Sequence, residues 1–128
     1  MRINSSSNFH EKVRKIFCED PFFKNLSCYQ EVAVLNLVED YYDGRHHVDW
    51  YIEELNMVLE LHGEQHYGIV NYGNKPFLEA KRQFEQIKKR DLNKKQALIS
   101  SGYEFREISY KKKKSLDAKY LMDIIFNG

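Results

Sequence analysis

The chain has 128 residues, 42% of them hydrophobic and 14% aromatic, with a net charge of +1. That length and apolar content suit one domain spanning residues 1–128 with a real core, and leave no room for a second. Nothing approaches eighteen consecutive apolar residues, and MRINSSSNFHEK lacks the basic-then-apolar layout of a signal peptide, so a soluble, cytoplasmic protein without membrane contact is expected.

Taken in chain order, Ser7 or Asn8 is placed to cap a first helix carrying Phe9, Val13, Ile16 and Phe17 on one stripe and ending before Pro21. Tyr29 to Leu37 alternates as a strand. His46 to Ile52 and Met57 to His62 follow as two more strands around the connection EELN. Gly68 to Pro76 reads as a loop with two glycines. A long helix then runs from about Pro76 to Ser101 and stops at Gly102. Tyr103 to Tyr110 is a last strand, and Ser115 caps a final helix through Leu116, Tyr120, Leu121, Ile124 and Ile125. The order is α-β-β-β-α-β-α, an α/β fold with a small mixed sheet of about four strands flanked by helices. Cys18 and Cys28 form no CxxC pair and are expected to be packed thiols.

The central hairpin holds the chemistry. With Glu53 to Asn56 as a four-residue loop, Ile52 stands opposite Met57, Trp50 opposite Leu59 and Val48 opposite Leu61, which makes one apolar face. The same register sets Asp49 against Glu60 and His47 against His62 on the other face. Opposed carboxylates destabilise a ladder unless a cation lies between them. Oxygen ligands on rigid strands suit Mg²⁺ or Mn²⁺; the alternatives are a register slipped by one residue, or ordinary edge-strand charges at the surface.

On the long helix, Phe77, Ala80, Phe84, Ile87, Asp91, Lys94 and Leu98 share a face, so Asp91 falls on the buried stripe. It either joins a site or pairs with Arg90, Lys94 or Lys95. HGEQH has the spacing of the zinc-protease HExxH, but its glutamate is misplaced and Gly63 interrupts where a helix is needed. His66 could sit over a metal held by Asp49 and Glu60 as a general base, and His62 is a base, phosphate contact or supporting group. Lysine and arginine concentrate late, at Lys88, Lys89, Arg90, Lys94 and Lys95 and again at Lys111, Lys112, Lys113 and Lys114. Solvated helix faces and a basic loop explain such runs as well as phosphate contacts do.

VDWYIEELNMVLELHGEQHY, followed by KKRDLNKKQALISSGYEFREI, resembles the very-short-patch-repair endonucleases and related phage homing endonucleases of the PD-(D/E)xK superfamily. The resemblance implies a restriction-endonuclease-like core and Mg²⁺-dependent cleavage of double-stranded DNA. It also implies an E…D…H…D set that falls on Glu11, Asp49, His66 and Asp91, with the Leu61 carbonyl on the metal; His10 is the alternative to Glu11. Val48 replaces the proline before the aspartate, and His62 stands where the superfamily has lysine. The repair enzymes' zinc site cannot be assembled here, while Glu60 matches the broader superfamily. The expected activity is that of a homing or site-specific endonuclease acting in a phage-infected bacterium, with a second copy or a further DNA-binding domain helping to read the target. A nuclease-fold protein that binds nucleic acid without cutting, or a non-specific DNA or RNA nuclease, is the alternative.

Overall fold

The computed structural model describes residues 5–63 and 76–128. Helix α1 (Ser5–Glu19) leads to strands β1 (Cys28–Ala33), β2 (His47–Ile52) and β3 (Met57–His62). Helix α2 (Phe77–Ser100), strand β4 (Glu104–Ser109) and helix α3 (Ala118–Asn127) complete the described chain. The four strands form one mixed sheet in the order β1-β2-β3-β4; β3 runs antiparallel to β2 and parallel to β4. A parallel neighbour requires a crossover, and α2 lies between β3 and β4 in the chain. The mixed α/β architecture expected above is the one observed.

Period-two alternation divides the core between two faces. On one, Phe9, Val13 and Phe17 of α1 and Leu121 and Ile125 of α3 pack with Trp50, Ile52, Met57, Leu59, Leu61 and Ile108. On the other, Leu98 of α2 packs with Val34, Val38, Tyr41, Val48 and Val58. Leu59 is fully buried on the central strand β3. Leu59→Ala is expected to cost about 2–5 kcal/mol by leaving a cavity, visible in urea unfolding as a lower midpoint with an unchanged m-value.

The hairpin register is the one the pattern implied over its first part: Ile52 pairs with Met57, Tyr51 with Val58 and Trp50 with Leu59. Asn56 closes the turn in the left-handed region at φ 48°, which asparagine tolerates, and its Nδ2 donates to the Gly102 carbonyl. Gly102 ends α2 with φ 94°, as expected of a residue following a helix.

Several boundaries differ from expectation. The helix already includes Ser7 and Asn8, so neither is its N-cap. Strand β1 stops at Ala33 rather than Leu37, because residues Val34–Asn36 turn into a short 3-10 segment that buries Val34, whose N–H donates to the His46 carbonyl. Val48 was expected on the Leu61 face but packs with Val34, Val38 and Tyr41, beyond the last registered β2–β3 pair. Asp117, not Ser115, caps α3: its carboxylate accepts the Tyr120 N–H at 2.7 Å. The lysine run is a 3-10 turn (Tyr110–Ser115) rather than an open loop. Phe77, placed on the buried stripe of α2, is 66% exposed. Cys18 is exposed and only Cys28 is partly buried. His66 and the loop from residue 68 to 75, with Tyr72, lie outside the described residues, as does Tyr67. Among the described residues no helix is long and apolar enough to cross a membrane.

Candidate active site

Asp49 and Glu60 meet where β2 and β3 part. Registered pairing ends at Trp50–Leu59, and beyond it the Leu61 N–H donates to Asp49 Oδ2 at 2.7 Å. A side chain thus satisfies a backbone donor next to the last ladder pair. The two carboxylates are therefore brought to one cleft, but not as a regular cross-strand pair. His10, Asp43, Arg45, His46, His47, Leu61, Arg90 and Lys94 complete its lining.

Glu60 is 5% exposed and Lys94 is 6% exposed. Lys94 reaches across from α2: its Nζ donates to Glu60 Oε1 at 3.3 Å and to the His47 carbonyl at 2.9 Å. This corrects the expectation that Lys94 grips phosphate at the surface, since a buried ammonium already engaged by two acceptors is part of the cleft's structure. Burial pushes the Glu60 carboxyl up to about 8, the neighbouring Asp49 charge adds to the rise, and Lys94 opposes it. Burial and the neighbouring Asp49 thus favour the protonated form of Glu60 in the metal-free chain.

The Glu60–Lys94 pair also forms the wall of a second, adjoining pocket lined by His62, Lys88, Asp91, Leu92, Lys95, Phe105 and Glu107. His62 and Asp91 belong to this side, not to the Asp49 cleft. His47 and His62, expected opposite each other, are thereby separated: His47 lines the first cleft, and His62 Nε2 lies 3.4 Å from Glu107 Oε2. Glu107 was missed in the sequence. It pairs with Glu60 across the parallel β3–β4 ladder and also holds Lys95 at 2.8 Å. Arg90 Nε is 3.9 Å from Asp91 Oδ1, the nearest to a salt bridge among the partners expected for Asp91.

Glu11 is not brought to the cleft. It stands on the exposed side of α1, bonded to Arg14 at 2.8 Å, while its neighbour His10 lines the cleft beside Asp49.

The other cleft wall comes from YYDGRHH. Asp43 accepts the Arg45 N–H and two guanidinium bonds, from Nε at 3.1 Å and Nη2 at 3.0 Å, which hold its carboxyl down to about 2. Tyr41 Oη lies 2.7 Å from His46 Nδ1, and His46 Nε2 lies 3.4 Å from Asp43 Oδ2. Burial lowers the His46 pKa and raises that of Tyr41, so a neutral imidazole accepts the phenol proton at Nδ1 and turns its Nε2–H toward Asp43. The His47 Nδ1 meets the Arg45 carbonyl at 2.7 Å; a carbonyl only accepts, so that nitrogen carries the hydrogen.

No family model, curated protein or solved structure matches this chain. Among the described residues no cluster of three or more histidine, cysteine, aspartate or glutamate side chains forms a ready-made metal cage. The donor set that is present is two carboxylates, Asp49 and Glu60, with Leu61 in the same lining. Mg²⁺ is commonly held by one or two carboxylates while keeping several waters, so this set fits such an ion better than it fits zinc.

Proposed function

We propose that the chain is a metal-dependent endonuclease that hydrolyses DNA phosphodiester bonds, of the homing or site-specific type. The observation that carries this reading is the Asp49–Glu60 pair at the parting of β2 and β3, where burial first and the Asp49 charge second lift Glu60 to about 8, with Lys94 as its buttress. A pair of carboxylates that resist carrying charge together is a place where a divalent cation is favoured. The resemblance of the hairpin and of the KKRDLNKK segment to the very-short-patch-repair endonucleases supports the same reading.

Asp49, Glu60 and the Leu61 carbonyl would hold Mg²⁺ or Mn²⁺. When bound, such an ion polarises a phosphate oxygen and acidifies a coordinated water. The chain's own groups do the positioning. The Leu61 N–H fixes one oxygen of Asp49 in place. Lys94 holds Glu60 in the wall between the two pockets and adds positive charge beside the point where negative charge develops on the phosphate. Base chemistry by His66 is implied by the resemblance alone. Lys88, Lys89 and Arg90 on α2, with Lys111, Lys112 and Lys114, would contact neighbouring phosphates and so position the duplex without reading it. Lys95 is partly engaged by Glu107. A domain of this size has limited surface for a long target, so a second copy or a further DNA-binding domain would complete recognition inside the cell.

The test is incubation of supercoiled plasmid, and in parallel of structured RNA, with Mg²⁺, Mn²⁺ or EDTA. Nicked or linear DNA that appears only with metal is expected; RNA cut as readily would point to a non-specific nuclease, and binding without cutting to a nucleic-acid-binding module.

A further inference from the structure

Tyr42 is 66% exposed yet held from several sides. Its ring lies 4.8 Å from that of Tyr41, which is buried, and meets His46 edge-on at 5.5 Å. Its Oη accepts a hydrogen bond from Asn93 Nδ2 of α2 at 3.0 Å. A large ring fixed in place, with most of its surface open to solvent, is a surface on which a flat π-system can stack at little cost in side-chain entropy.

Beside it are donors for an anion. Arg90 lies one turn before Asn93 on α2 and lines the Asp49 cleft. Its Nε is buried and, among the described residues, has no acceptor within hydrogen-bonding distance; Asp91 Oδ1, at 3.9 Å, is too far. Arg45, on the facing wall, meets Asp43 through Nε and Nη2, which leaves Nη1 over and engages the acid that would otherwise repel an anion at this corner. An aromatic face held by Asn93, with Arg90 one turn before Asn93 and Arg45 three residues after Tyr42, matches a nucleotide, with its base on the ring and its phosphate on the guanidinium forks.

We infer that Tyr42, with Arg90 and Arg45, forms a subsite for an unpaired nucleotide next to the cleft of Asp49, so that the chain prefers DNA in which a single-stranded segment adjoins a duplex. A base inside a duplex is stacked on its neighbours and cannot lay its face on Tyr42, so the occupant is unpaired. The inference rests on the nucleic-acid reading above, but it needs binding only, not cleavage.

The experiment is fluorescence anisotropy of the full chain in EDTA with two probes, a blunt DNA duplex and the same duplex carrying a short single-stranded extension with 2-aminopurine in it. The wild type is expected to bind the extended probe more tightly and to change the 2-aminopurine emission. Tyr42→Ala should weaken binding of the extended probe roughly tenfold, leave the blunt duplex unchanged and abolish the emission change. Tyr42→Phe, which keeps the ring and loses the Asn93 bond, should retain both. Should Tyr42→Ala fold poorly, Tyr42→Leu gives the same comparison with the bulk preserved. Equal binding of both probes by the wild type, or an unchanged preference and emission response in the ring-less variants, would overturn the subsite. Because metal is absent throughout, a failure of the nuclease reading shows up separately, as probe preference without plasmid cutting in Mg²⁺.

Discussion

Lys94→Met is expected to destabilise the protein by about 2 kcal/mol at about pH 9.5, above the titration of Glu60, and by distinctly less at pH 5. Lys94 is buried against Glu60 and the His47 carbonyl, and removing one partner of a buried pair costs up to about 3–5 kcal/mol when the other must keep its charge. Glu60 has an escape, because burial and Asp49 already favour its protonated form, and at pH 5 the neutral acid needs no ammonium beside it. The cost should therefore grow with pH. Methionine fills much the same volume as the lysine stem, which keeps the packing loss small. Thermal unfolding at the two pH values reads the difference; about 2 kcal/mol corresponds to a fall of roughly 5–10 °C for a domain of this size. An equal loss at both would mean that Lys94 stabilises by packing and by its bond to His47, not through the Glu60 charge. On the proposed function, the same variant should lose on the order of a hundredfold in cleavage rate, as when a fixed donor is removed from a developing negative charge.

Glu60→Gln should act in the opposite direction on stability and in the same direction on activity. The Glu60 carboxyl titrates near 4.5 when unfolded and near 8 in the folded, metal-free chain. Between those values the native state binds more protons than the unfolded state. Stability from this group is thus fully present below about pH 4.5 and is lost as pH rises through 8. The loss is on the order of a few kcal/mol across that window. Glu60→Gln removes the titration, so the variant should lose little stability between pH 5 and 8 and should be more stable than wild type at pH 8. Mg²⁺, if it binds as proposed, should raise the wild-type melting temperature most at the alkaline end and leave Glu60→Gln nearly unmoved. A wild-type melting temperature that is flat over this range in EDTA would show that Glu60 is not strained as described.

These two residues show how much of the site was legible in the chain. The hairpin could be read because a four-residue connection and period-two alternation leave one register that sorts both faces, and Ile52–Met57 through Trp50–Leu59 follow it. What alternation cannot express is the point at which a ladder stops. The substitution of the Asp49 carboxylate for a ladder acceptor at Leu61 and the passage of Val48 to the other core both follow from that ending. Glu107 was hidden for a related reason: no turn sets the register of β4 on β3, since α2 intervenes, so nothing local shows that Glu107 pairs with Glu60. Lys94 was visible on the buried stripe of α2, but the basic residues around it made a surface role look natural; helical periodicity gave the truer signal. The Asp43–Arg45 contact was not read from the sequence; the Asp-Gly step in YYDGRHH, which folds the arginine back onto the aspartate two residues earlier, is the local signal that could have found it. Glu11 illustrates the converse. A motif position assigned it a role, whereas the helix wheel already set it opposite Phe9 and Val13, and there it bonds to Arg14.

The central claim is that Asp49 is indispensable to metal-dependent DNA cleavage, and it is tested most directly by comparing wild type and Asp49→Ala on supercoiled plasmid in Mg²⁺, with folding of both verified by melting. A metal ion at the reacting phosphate is worth several kcal/mol of charge stabilisation, so a loss on the order of a thousandfold or more is predicted, together with retained DNA binding. Cleavage by Asp49→Ala at the wild-type rate, or cleavage by the wild type that persists in EDTA, would contradict the account.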